Sequence, residues 1–154
     1  MDLAFRNAEK RDIPELVLML VDDELGKLRE DTENPVNACY LSAFESIDDA
    51  PNNELVVVQR EQQLVGMLQL TFIPYLTHMG SWRCLIEGVR IHKDFRGQGL
   101  GTAAFEWAIQ RADQKGCAMV QLTSDKQRHN AIRFYQRLGF KASHEGFKLR
   151  LNNK

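Results

Sequence analysis

What the sequence has little of narrows its reading first. It holds three cysteines, Cys39, Cys84 and Cys117, an odd number without metal-ligand spacing. That argues against a disulfide framework and against a bound metal, and suits a reducing compartment; the three are expected to be thiols packed as small apolar residues. No apolar run approaches the ~20 residues of a membrane span, and the opening MDLAFRNAEKRDIPE carries charges where a secretory leader needs an unbroken apolar stretch. A cytoplasmic protein is expected. Repeats, linkers and low-complexity segments are missing, and so is the G-x-x-x-x-G-K-[ST] loop of nucleoside triphosphatases. A chain of 154 residues can bury one good core and is short for two, so a single domain over 1–154 is expected.

The charge is near balance overall, at minus one, and unevenly spread. Residues 12–49 contain eleven acids against two bases, a net of minus nine, which leaves plus eight for the remainder. An acidic front can attract a cation and a basic body can hold an anion.

Periodicity supplies the elements. Asp12 with Glu15 is a capping-box pattern, and Pro14 fits a first turn, so a helix is predicted to about Leu28. Val36, Tyr40, Phe44 and Ile47 have helical spacing, with Asn34 or a neighbour as cap. ELVVVQR and LVGMLQLTFI read as an antiparallel hairpin ended by Pro74, and RCLIEGVRI as a third strand in which Gly88 suggests a bulge or a close ligand approach. Leu100, Ala103, Ala104, Trp107, Ala108 and Ala112 form a helical stripe closed by Gly116. A buried strand, CAMVQLTSD, comes next, then a short helix with Ala131, Tyr135 and Leu138 on one side, and a last hairpin with alternating Phe147, Leu149 and Leu151.

The stretch RIHKDFRGQGLGTAAF carries the chemistry. A strand that enters a glycine turn and then a helix aims unpaired amides and the positive end of the helix dipole at one spot. Gly97, Gly99 and Gly101 would let a phosphate reach the backbone, and Arg96 adds a permanent charge. A dinucleotide fingerprint, G-x-G-x-x-G, would need its third glycine at Thr102; Asp125 stands roughly where a ribose-binding acid would, so this rival stays open.

The pattern that does match is Arg-x-x-Gly-x-Gly, from Arg96, Gly99 and Gly101, preceded by VRI and followed by AIRFYQRLGF. With these motifs the chain closely resembles the GNAT superfamily of N-acetyltransferases over roughly residues 54–151. The resemblance implies an α/β fold of the α+β type, with a mixed, mostly antiparallel twisted sheet of about six to seven strands flanked by about four helices. It also implies acetyl coenzyme A as co-substrate, with no metal. Arg96, Gly97, Gln98, Gly99, Leu100, Gly101 and Thr102 then bind its diphosphate, and the backbone of Val89 and Ile91 pairs with the pantetheine arm. Tyr135 matches the family tyrosine that protonates the departing thiolate. Where the family often has asparagine, this chain has Arg128, to which a phosphate contact is assigned.

The acceptor amine, with a pKa near ~10.4, must lose a proton before it attacks. Glu87 is the best candidate base through a bridging water, with His78 the runner-up. Cys84 and Cys117 lie in apolar contexts that disfavour an acyl-enzyme, so direct attack in a ternary complex is expected. The acidic front points to a small cationic amine as acceptor. Rival functions are an acyl coenzyme A-binding regulatory module without catalysis, an acetyltransferase acting on a protein or peptide amine, and a nicotinamide-binding fold. The partners on this reading are acetyl coenzyme A and the amine, with neither nucleic acid nor membrane, and a homodimer is compatible with it.

Overall fold

The computed structural model describes residues 2–31 and 36–152. These form two compact units, one ending at Gln121 and one beginning at Leu122. The first holds a five-stranded sheet in the order β1 (Ala4–Asn7), β2 (Asn53–Arg60), β3 (Gln63–Pro74), β4 (Trp82–Ile91) and β5 (Met119–Gln121). β1 to β4 pair antiparallel and β5 joins β4 in parallel. The mixed, mostly antiparallel sheet is as expected, with five strands among the described residues.

The strands form where β-branched residues are continuous. Val56, Val57 and Val58 are wholly buried, as a strand covered on both faces requires. β2 and β3 join through Glu61 and Gln62, both left-handed (φ 50° and 67°), the two-residue connection whose twist matches that of its strands. On one face, α1 (Ile13–Val21) and α2 (Ala38–Asp49) pack Ile13, Leu16, Val17, Met19 and Phe44 against Val57, Leu64 and Met67. α4 (Leu100–Gln114) buries Leu100, Ala104, Phe105, Ala108 and Ala112 and lies against β3 and β4. Its Trp107 stacks on Phe5 of β1, ring centroids 4.7 Å apart. Between β3 and β4, α3 (Thr77–Gly80) is one turn in which His78 and Met79 are left-handed. In the second unit, α5 (Ala131–Arg137) ends at Gly139, whose φ of 100° is a helix-ending conformation.

Five local expectations need correction. Asp12 does not cap α1: its carboxylate accepts from the Glu9 amide at 2.7 Å and, at 2.8 and 3.0 Å, from Arg6, which draws it into a buried ion pair instead. α1 stops at Val21 because the next residues turn toward arginines of other elements, and Gly26–Leu28 form a separate 3-10 turn. The cap of α2 is Asn37, which accepts from the Cys39 amide at 3.0 Å; Asn34 lies outside the described residues. β5 is a short edge strand with Met119 exposed, not a buried one. Residues 141–151 contain neither helix nor strand, so the last hairpin is not formed within the chain.

Candidate functional site

β4 carries the break in the sheet that makes room for a ligand. Gln69 faces Glu87 and Met67 faces Arg90, so Gly88 and Val89 together stand opposite the single residue Leu68. That is a bulge, and it needs the left-handed backbone of Gly88 (φ 62°), whose missing Cβ would meet nothing within 4 Å. Beyond it the sheet is split: β5 pairs with β4 over Arg83–Leu85 only. The β5-facing edge of β4 from Ile86 to Ile91 therefore has no ladder partner among the described strands. An amide-rich chain can satisfy such an edge as an added strand would.

The same strand leads into the glycine turn. A 3-10 turn, Lys93–Phe95, delivers Arg96, after which Gly97 and Gly99 are both left-handed (φ 76° and 79°). Gly99 is the N-cap of α4 and brings no side chain to its amides. Its carbonyl accepts from Ala103 at 3.1 Å, which leaves the amides of the first turn, Leu100 to Thr102, outside the α-helical ladder. A Cβ on Gly97 would stand in open space. Amides on a fifteen-residue helix with its dipole behind them fit a diphosphate in donor chemistry and in access. Gln98, within the turn, accepts from Arg60 at 3.0 Å.

Arg96 reaches backward as well as bordering the turn. Its Nε donates to the Ile91 carbonyl at 3.1 Å, and its NH2 to the Asp22 carbonyl at 2.8 Å and carboxylate at 3.3 Å. Arg90 pairs with Asp23 at 3.6 Å and donates to the Val89 carbonyl at 2.8 Å. Two arginines of the β4 segment thus hold the end of α1. Sequence reading missed this use of Asp22 and Asp23, and adjacent acids just past a helix gave no sign of their partners. Part of the acidic front is accordingly neutralised: Asp12, Asp22 and Asp23 all serve arginines from the basic remainder.

Glu87 is exposed on β4 beside the bulge. The two arginines nearest it in sequence are engaged elsewhere, Arg90 with Asp23 and Arg83 with His78 and Gln121. His78 is already engaged, because its Nδ1 lies 3.1 Å from the Arg83 guanidinium, which can only donate. Cys84 is fully buried, and burial pushes its thiol up to about 12; burial raises Cys117 too. Neither is a nucleophile at neutral pH. Cys39, expected to be packed, is exposed on α2, where the helix turns its polar side outward.

The structure therefore brings Glu87, Val89, Ile91 and Arg96 to Thr102 together along one strand, turn and helix start. Tyr135 and Arg128 belong to the second unit. There Tyr135 sits half-buried on α5, edge-on to Phe134 and Phe140 at 5.4 and 6.1 Å. Arg128 precedes the helix, its amide bonded to the Asp125 carbonyl at 2.9 Å.

Comparison with known proteins agrees with this geometry. Residues 22–140 match the acetyltransferase (GNAT) family. The aminoalkylphosphonate N-acetyltransferase of Salmonella typhimurium is 32% identical over 97 residues, 63% of this chain and 62% of that protein. Matched segments cover 24% to 62% of the lengths of the curated relatives. Among solved structures, a transcriptional regulator from Bacillus halodurans C-125 is 51% identical with a TM-score of 0.94, covering 97% of this chain and all of that one. An acetyltransferase from Trypanosoma brucei is 26% identical with a TM-score of 0.76, over 97% of this chain and all of its own. The split sheet, the glycine turn and these likenesses lead to one conclusion: the chain belongs to the GNAT family of acetyltransferases.

Proposed function

We propose that the protein moves an acetyl group from acetyl coenzyme A to the primary amine of a small cationic acceptor, by direct attack in a ternary complex. The observation that carries this reading is the open edge of β4 from Ile86 to Ile91, running straight into the left-handed glycine turn and the free amides of α4. An edge that can pair with an extended amide arm, ending at an anion site, suits a long ligand with a diphosphate at one end. On this reading the thioester end lies near Glu87.

On this reading the main chain of Val89 and Ile91 holds the pantetheine arm, residues 96–102 hold the diphosphate, and Arg128 adds a phosphate contact. The ammonium passes a proton through a water to Glu87, and its nitrogen attacks the thioester carbon. The carbon–sulfur bond then breaks, Tyr135 protonates the departing thiolate, and the second proton of the former amine nitrogen passes through water to restore the tyrosine. Because arginines already hold Asp22 and Asp23, and Arg29 and Tyr40 engage Glu30, the attraction for a cationic acceptor falls to the other acids of the front, Glu24 among them.

The test is thiol release from acetyl coenzyme A against a panel of primary amines. Turnover with at least one amine is expected, with kcat falling sharply in Glu87→Gln and Tyr135→Phe while coenzyme A still binds. The competing reading is a module that holds acetyl coenzyme A without turning it over. It is favoured by the Bacillus halodurans structure, described as a transcriptional regulator and half identical to this chain. Binding without turnover across the panel would establish that rival instead. A burst of acetylated protein in the absence of amine would overturn direct attack.

A further inference from the structure

Arg83 stands apart from the other arginines of the first unit. Six of those eight, Arg6, Arg11, Arg29, Arg90, Arg96 and Arg111, pair with carboxylates, and Arg60 serves Gln98 of the glycine turn. Arg83 is half-buried, and no carboxylate among the described residues pairs with it. Its NH1 donates to the side-chain oxygen of Gln121 at 3.4 Å and its NH2 to Nδ1 of His78 at 3.1 Å, while its Nε is buried without an acceptor among the described residues. The guanidinium lies over the Tyr75 ring, 4.2 Å from the centroid. Dipoles and a ring face stabilise this cation and leave its charge in place.

Its position gives that charge a use. Arg83, Leu85 and Glu87 alternate onto one face of β4, opposite Ile73, Thr71 and Gln69 of β3. Gln69 is in turn opposite Leu55 of β2, which packs toward α1 and α2, so this is the face that those helices cover at its other end. Here the cover thins: Gln69, Thr71, Ile73 and Leu85 are only half-buried and Glu87 is exposed. Four residues of strand separate the Cα atoms of Arg83 and Glu87 by roughly 13 Å. A candidate base and a permanent cation thus share one open face of the sheet.

We propose that Arg83 binds an acidic group of the acceptor, so that the amine acetylated here carries an oxyacid such as a carboxylate at its far end. This rests on the acetyl-transfer reading and narrows its acceptor: the reacting end is an ammonium near Glu87, and the other end is an anion. The planar fork of arginine matches the paired oxygens of a carboxylate, and stacking on Tyr75 orients that fork before the ligand arrives. The span between the two residues suits an acceptor with several carbons between its charges better than one whose charges share a carbon. Both signs of charge then have a task, since acids of the front draw the amine and Arg83 draws the acid.

The test is kcat/KM, by thiol release at saturating acetyl coenzyme A, for ω-amino acids of four and six carbons against alkylamines and diamines of the same lengths. At least one amino acid is expected to exceed its alkylamine by roughly tenfold or more. Arg83→Gln should then lower kcat/KM for that amino acid at least about tenfold more than for the alkylamine, through KM, and Arg83→Lys, which keeps the charge without the fork, should recover part of the loss. A preference for alkylamines or diamines, or equal losses on both classes in Arg83→Gln, overturns the inference and leaves the acetyl-transfer reading standing. If no amine turns over, that reading fails by itself, and calorimetric titration of the coenzyme A complex decides the inference. An amino acid that binds the parent about tenfold more tightly than Arg83→Gln supports it; equal binding, or none, overturns it.

Discussion

Replacing Gly99 by alanine separates the strain of the glycine turn from its binding role. Gly99 sits at φ 79° and ψ 8°, a left-handed conformation that costs a residue with a Cβ about 1–2 kcal/mol. For a chain of this size that corresponds to a fall in Tm of roughly 2–8 °C. The turn can escape the strain only by rotating the amides of Leu100, Gly101 and Thr102 away from their common focus. A hydrogen bond to a charged group is worth about 1.5–3 kcal/mol, so losing one weakens coenzyme A by roughly ten- to a hundredfold. Thermal denaturation without ligand reads the first quantity, and calorimetric titration with coenzyme A the second. Gly99→Asn is the control, because asparagine tolerates the left-handed region. It should recover most of the stability and only part of the affinity, since its Cβ still stands beside the amides. An alanine variant that loses stability yet binds coenzyme A as tightly as the parent would show that the diphosphate does not sit at this helix end.

Other outcomes follow from the same structure. Cys84 titrates near 12 in the fold, above its unfolded value, so the stability it contributes is present at neutral pH and is lost as pH rises from about 9 toward 12; Cys84→Ala should flatten that part of the pH–stability curve. Thiol alkylation of the native protein should mark Cys39, which is exposed, and spare Cys84, which is buried. Asp12 is held below its usual range chiefly by the hydrogen bonds from Arg6. Its contribution is therefore present at neutral pH and lost as pH falls through its depressed value; Asp12→Asn should cost about 1.5–3 kcal/mol in denaturant unfolding. The Arg96–Asp22 pair is half exposed, at 51% and 47%, so Asp22→Asn should cost less than about 1 kcal/mol. If the pair positions the turn, the same change should raise KM for acetyl coenzyme A more than it lowers kcat.

Family, turn and most elements were legible in the sequence because their signals are local. Glycines two apart beside an arginine, a helical stripe from Leu100 to Ala112 and the valines of β2 each state their structure within a dozen residues. The bulge at Gly88 was legible for the same reason, since a glycine inside a strand pattern marks a place where a left-handed backbone comes without the strain of a Cβ. Pairing across the chain was not. Nothing near Asp22 shows that Arg96 will reach it, and nothing near Asp12 shows that Arg6 will take it from its cap. The length of β5 depends on how far β4 diverges from it after Leu85, which no single segment encodes. The alternation of Phe147, Leu149 and Leu151 reads as a strand at the end of the chain. Only the tertiary structure decided that residues 141–151 form none, because a strand's pattern fixes which face it would bury and supplies no partner to pair with.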